Sequence, residues 1–491
     1  MSISFNAIPI NIRTPGAYLE IDNTNAVRGL PGIPSRILVI GQRLTAGTVA
    51  EAVPTRVLNE AEAELFFGRG SMLHLMFRAL KANNDWTETW AVALDDAVGG
   101  VTAAGTVTFG DGTTAAGTLN LYIAGQRVRV AVAADDSGSD IATKVAAAIT
   151  AATDLPVTAA VNGTTAEQVD ITARHKGLAG NDIDLRVNHY PDEKLPAGLV
   201  VTFGAMASGS GNPDIADAIA VLGDQWYTDW IVPWTDSANL VALEAELASR
   251  FGPMVAQDGS AYTAARGTHS ALTTLGNARN SPHLSIIGAD ASPTAPWAWA
   301  AAFGAVCAYH TKNDPARPLQ TLSLAGIVPP KVEDRFILQE RNLLLYDAIS
   351  TFTVDDGGIV RIERAITTYE TNAQSIDDAS YLDLNTMKTL AYLRYSTRAR
   401  ILQKFPRHKL ADDGTRFGAG QSVVTPKVIR AELIALFKQW EDAGLAENVD
   451  QFKADLIVER STTDVNRVDA LIPPDIINQF RVFAGNVQFI L

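Results

Sequence analysis

At 491 residues the chain is too long for one hydrophobic core, and its length predicts roughly two to four domains. Apolar residues make up 47% and charged residues 19%, the balance of a folded chain rather than a disordered one. A formal charge of −14 repels nucleic acid and anionic bilayers, so neither is an expected partner.

The opening MSISFNAIPI lacks the basic start and apolar core of a secretory signal, so synthesis and folding in the cytosol are expected. Residues 1–30 read as an arm. Pro9 and Pro15 exclude a continuous helix, and Ala17, Tyr18, Leu19, Glu20 and Ile21 form a strand-like stretch with too few apolar residues for a core. From Arg36 the pattern changes: ILVIG is a continuous apolar run, helical stretches follow at 60–66 and 71–82, and ETWAVALD is a second strand. Strand, helix and strand at this spacing predict a parallel α/β sheet.

Residues 98–204 shift to Ala, Thr, Gly and Val in short alternating runs such as GTVTF, LNLYI and QRVRVAV. They predict an inserted, mainly-β domain, with one helix at 140–151 for which Asp140 is the N-cap. The α/β domain is thereby split into 31–97 and 205–374. It resumes with a helix at 213–222 (Asn212 as N-cap, Pro213 at the first position), the strand DWIVPW, a helix at 237–250 and the strand HLSIIG. The apolar run 295–309 is shorter than the roughly 20 residues that span a bilayer, so it predicts a core helix and no membrane insertion. It holds Cys307, the one cysteine, which excludes an intrachain disulfide and reads as a buried, inert thiol. AISTFTV and GIVRIERAI flank DDGG, a hairpin signal. Helical periods at 384–405 and 426–443 and later short strands predict an α+β domain over 375–480, followed by a terminal strand or arm, 481–491.

Little in this pattern assembles chemistry. RGTHSAL places His269 after Gly-Thr, as in subtilisin-like proteases, but no serine on a glycine-flanked turn and no orienting Asp segment accompany it. GSG at 209–211 lacks the third glycine of a dinucleotide loop, and DDSGSD lacks calcium-loop spacing. None of the seven histidines forms a zinc pair. No catalytic residue, cofactor or metal is therefore expected. Above this background stands a basic flank: Arg394, Arg398, Arg400, Lys404 and Arg407 lie on or just after one helix of an acidic protein, either as a solvated face or as a docking surface for an acidic partner.

The chain ends GNVQFIL, with Val487, Phe489 and Leu491 on one strand face. Burying these three side chains contributes roughly 5–9 kcal/mol before ordering costs. Two destinations are open: a local hairpin through AGN, or a strand added to another subunit's sheet.

GIVPPKVEDRFILQERNLLLYDAISTFTV, GGIVRIERAITTYETN, YLDLNTMKTLAYLRYSTRARI and TPKVIRAELIALFKQWEDAGLAENVDQFKADLIVER resemble the contractile tail sheath proteins of Mu-like phages, and TPGAYLEIDNTNAVRGLPGIPSRILVIG is similar to their N-termini. These segments bracket nearly the whole chain; the inserted β region matches least. The resemblance implies an α/β and α+β multidomain protein with a subtilisin-like α/β core that lacks the catalytic residues. It implies a non-enzymatic subunit of a helical homo-oligomer, arranged as stacked six-membered rings around an inner tail tube. Such a sheath is capped by baseplate and tail terminator proteins, assembles in the host cytoplasm, belongs to the virion, and contracts to drive the tube through the host envelope. In such a mesh Ala17–Ile21 and Val487, Phe489 and Leu491 would be inter-subunit arm contacts, and the basic flank the tube-facing surface. A sheath from an R-type bacteriocin or another contractile injection system fits the same residues. A subtilisin-like hydrolase is the reading from another class, with an incomplete triad.

Overall fold

The computed structural model describes residues 13–20, 32–418 and 420–490. They group into two compact units. One holds Pro34–Asp314 and Leu319–Met387; the other holds Pro315–Pro318 with the described parts of Met1–Ile33 and Lys388–Leu491.

The first unit begins with β1 (Arg36–Gln42), short β2 (Thr55–Arg56), α1 (Glu60–Phe67), α2 (Met72–Asn83) and β3 (Glu88–Leu94). Both helix starts follow from capping side chains: Asn59 accepts the Glu62 N–H, and Ser71 accepts the His74 N–H.

The β-rich stretch supplies β4 (Thr102–Phe109), β5 (Gly117–Ile123), β6 (Gln126–Val132), α3 (Gly138–Ala151), β7 (Val157–Val161), β8 (Gln168–Lys176), β9 (Leu185–Val187) and β10 (Val201–Ala207). Its strands pair antiparallel in two sheets, β10-β4-β8-β7 and β6-β5-β9. Strict alternation along β8 turns Val169, Ile171 and Ala173 inward, where Ile141, Val145 and Ile149 of α3 join the same hydrophobic cluster. That helix starts earlier than expected. Ser137, not Asp140, is the N-cap, and Asp140 accepts the Ser137 N–H at 3.0 Å to close a capping box.

The α/β pattern resumes with α4 (Ile215–Ala220), β11 (Asp229–Ile231), α5 (Ser237–Phe251), β12 (Ser260–Ala265), α6 (His269–Asn277), β13 (Leu284–Gly288), α7 (Pro296–Asn313), α8 (Leu338–Tyr346), β14 (Ile349–Val354) and β15 (Val360–Arg364). The expected cap at Asn212 is corrected: its side chain accepts the Leu178 N–H at 2.8 Å and donates to Asp236 at 2.6 Å, so Asp214 caps α4 instead. The sheet runs β15-β14-β13-β12-β11-β1-β3-β2. It is parallel from β14 to β3, with β15 and β2 antiparallel at the edges.

Both faces are covered, which is why β1 reads as an unbroken apolar run. Ile37 and Val39 enter one cluster with Met76 of α2 and Phe303 of α7; Leu38 and Ile40 enter another with Leu240 and Leu243 of α5. Gly304 lets α7 approach β11, since a Cβ there would stand 2.7 Å from Ile231 Cγ1. Cys307 is fully buried on α7. The cluster containing Ile37 also holds Val107, Leu121 and Ile171, so the β-rich stretch and the parallel sheet share apolar packing. Among the described residues no helix is long and apolar enough to cross a membrane.

Beyond the first unit come α9 (Leu384–Lys404), β16 (Lys409–Leu410), β17 (Val423–Val424), α10 (Pro426–Asp442), β18 (Ala446–Glu447), α11 (Val449–Asp455), β19 (Ile457–Arg460), β20 (Val468–Leu471) and β21 (Asp475–Ile476). From Lys388 onward these belong to the second unit. Its core joins Leu393 of α9, Leu433, Leu436, Phe437 and Trp440 of α10, and Phe452 of α11. The Phe437 and Phe452 rings stack with centroids 4.1 Å apart, and the Trp440 indole N–H donates to the Ser396 hydroxyl at 3.0 Å.

Candidate functional site

After β21 the described chain carries no further strand through residue 490. Val487 is 90% exposed and Phe489 79%. The local hairpin through AGN does not form, and the backbone gives the reason: neither Gly485 nor Asn486 takes the positive φ of a primed hairpin turn. Leu491 lies outside the described residues, as does Ile21. At the other end, residues 13–20 form no strand either; Ala17, Tyr18 and Leu19 are exposed and Glu20 is half-buried. The Tyr18 hydroxyl donates to the Thr14 carbonyl at 3.2 Å.

The second unit contains a small ladder whose edges are open. Strands β19 and β20 pair as a ladder of two, from Ile457 opposite Leu471 to Arg460 opposite Val468. Among the described residues its outer edges are unpaired, and Ile457 and Leu471 stay exposed. A ladder this small is marginal alone and gains from added strands.

The basic flank is not one surface. Arg400, mostly buried, donates to Glu432 of α10 at 3.0 Å and to Gln439, and Lys404 stands 3.8 Å from Glu432. These two cations hold α9 to α10. Arg394 is half-buried, whereas Arg398 and Arg407 are exposed.

His269 is the first residue of α6, whose N-cap is Thr268. Its Nε2 lies 3.1 Å from the Glu340 carbonyl and so carries the proton, its Nδ1 lies 3.5 Å from the Thr273 hydroxyl, and its ring meets Phe336. Neither polar partner is a serine or a carboxylate, so no triad geometry surrounds it. Among the described residues no group of His, Cys, Asp or Glu is placed to hold a metal ion.

Residues 208–368 match the phage tail sheath protein central domain, and residues 377–490 match the phage tail sheath C-terminal domain. The chain is 45% identical to the Mu-like prophage FluMu tail sheath protein of Haemophilus influenzae, over 100% of both chains. It belongs to the phage tail sheath family. The fold is similar to the sheath tail protein of Listeria innocua, at 10% identity and a TM-score of 0.50 over 93% of this chain and 94% of that one. The sheath tail protein of Desulfitobacterium hafniense aligns over 94% of this chain and 100% of its own, at 12% identity and a TM-score of 0.48.

Proposed function

We propose that this chain is the subunit of a contractile phage tail sheath, polymerising around an inner tail tube as stacked six-membered rings and contracting to drive the tube through the host envelope. The observation that carries the reading is the full-length identity to a Mu-like prophage tail sheath protein. The parallel sheet with helices on both faces is the proposed subtilisin-like core, without subtilisin's chemistry. Residues 98–204 are the proposed insertion and 375–480 the proposed C-terminal domain. The subunit's role is structural rather than enzymatic.

The exposed terminal segments are the proposed arms. An arm that adds a strand to the β19–β20 ladder of the next subunit gains main-chain hydrogen bonds, while alternate side chains such as Val487 and Phe489 bury against it. Head-to-tail contacts of this kind do not close on a dimer and generate a helix. The exposed cations Arg398 and Arg407 are the proposed tube-facing contacts, because screened ionic contacts release when the sheath widens. Baseplate and tail terminator proteins are the proposed partners at the two ends, the host cytoplasm the site of assembly, and the virion tail the final location.

Electron microscopy of the purified protein, alone and with tube, is the direct test. Hollow striated cylinders are expected; monodisperse monomers at high concentration and moderate salt count against the reading. A capsid in the same particle preparation separates a phage from an R-type bacteriocin or other injection particle.

A further inference from the structure

In the first unit, α8 turns an apolar face to solvent. Leu338, Leu343 and Tyr346 are 63%, 53% and 75% exposed, and they share that face with Gln339 and Asn342. Ile337, just before the helix, and Val332 are exposed as well. A helix that stands in water keeps polar residues outward, so one with leucine and tyrosine there is built to be covered.

The neighbouring helix continues the surface. The nine residues of α6 include no Asp, Glu, Lys or Arg, and Ser270, Ala271 and Thr274 are exposed. The two charged residues of α8 are half-buried and engaged. Glu340 accepts the Ile337 N–H at 2.9 Å, and the Arg341 guanidinium is taken by both oxygens of Glu363, at 2.8 and 3.2 Å, and by the Phe336 carbonyl at 2.7 Å. Neither helix therefore exposes a charge, and a charge-poor patch with an exposed aromatic has the composition of an interface centre. The face is also fixed in advance. His269 Nε2 donates to the Glu340 carbonyl at 3.1 Å and the Thr273 hydroxyl to Asp347 at 2.8 Å, joining α6 to both ends of α8, so docking costs little further ordering.

Charge selects the occupant. On the rim before α8, Glu333 and Asp334 are exposed, whereas Lys331 and Arg335 are half-buried and Arg335 donates to the Pro330 carbonyl at 3.1 Å. Residues 1–387 hold 42 Asp and Glu against 25 Lys and Arg, but residues 388–491 hold 12 against 15. The second unit is the part of this chain whose charge complements such a rim. We infer that the α6–α8 face is an interface between copies, covered by the second unit of a second copy. This rests on the homopolymer reading above.

Photocrosslinking from p-benzoylphenylalanine placed at Tyr346 tests the contact. In a mixture of unlabelled and isotope-labelled chains, crosslinks from position 346 of one copy into residues 388–491 of another are expected. Crosslinks confined to one copy or to residues 1–387 overturn the assignment, as do crosslinks that form only when tube protein is added. Leu343→Glu should raise the concentration needed for association at least about tenfold, because an unpaired charge resists burial. Its urea midpoint should stay unchanged, since the position is exposed. Unchanged association in Leu343→Glu overturns the interface, and so does a wild-type chain that stays monomeric at high concentration. Electron microscopy judges the sheath reading separately. Crosslinked assemblies that are not cylinders keep the interface and count against the sheath; cylinders without these crosslinks do the reverse.

Discussion

His175 and Asp96 meet at 3.0 Å, the imidazole Nδ1 on β8 against the carboxylate that follows β3. His175 Nε2 accepts the Met72 N–H at 3.0 Å, so the ring proton sits on Nδ1 and points to Asp96. The Lys176 N–H and the Gln42 amide also donate to that carboxylate, at 3.0 and 2.7 Å. Burial pushes Asp96 up, but the His175 hydrogen bond, with the other donors, holds it below the usual carboxylate range.

Replacing His175 with Ala orphans the Met72 N–H and removes a donor from Asp96. A loss of about 1–3 kcal/mol is expected in urea unfolding. Because the Asp96 value is depressed in the folded state, its contribution is present above the ordinary carboxylate pKa. It is lost as pH falls through the folded value. An unchanged midpoint in His175→Ala would remove this joint from the account of stability.

Asp182 behaves in the opposite sense. Burial raises its carboxyl to about 6, against the pull of Arg266. Its favourable contribution is full below the unfolded value of about 4 and is lost as pH rises through about 6. Asp182→Asn should therefore raise the melting temperature at pH 7.5, with the gain vanishing near pH 4. Thermal melts at the two pH values check both halves.

Gly276 near the end of α6 faces the backbone of Asp347, and a Cβ there would stand 1.7 Å from its carbonyl oxygen. Backbone cannot rotate aside as a side chain does. Gly276→Ala should cost at least about 2 kcal/mol, read from the urea midpoint.

The basic helix yields a contrast between two of its own residues. Arg400→Ala strips Glu432 of its closest cation and should destabilise the second unit by roughly 1.5–3 kcal/mol. Arg407→Glu, at an exposed position, should leave the unfolding midpoint within about 0.5 kcal/mol and weaken tube association in sedimentation. Equal tube binding by wild type and Arg407→Glu removes the proposed tube contact.

Deleting residues 485–491 should leave the urea midpoint unchanged, because the described side chains there are exposed. The truncated chain should stay dispersed under conditions where the full chain forms cylinders. Normal cylinders would refute the arm.

The parallel sheet was legible because its strands are buried on both faces and leave apolar runs such as ILVIG. Helix starts were legible to within a few residues, and two of the misses share one cause. Asn212 was assigned to a cap, but its side chain bonds Leu178 and Asp236, distant in sequence. Arg400 was hidden in the same way, since Glu432 lies 32 residues away. Gly-Asn near the tail permits a tight turn, yet the chain adopts none there. Periodicity reports which face is apolar; it does not report what that face meets.

Cys307 has a practical consequence. It is the one cysteine of the chain and is sealed within α7, so the native surface carries no thiol. Any cysteine introduced at an exposed position becomes a single chemical address, for a dye or for a crosslink between neighbours. Motion of one subunit against the next can then be followed without first stripping the protein of competing sulfur.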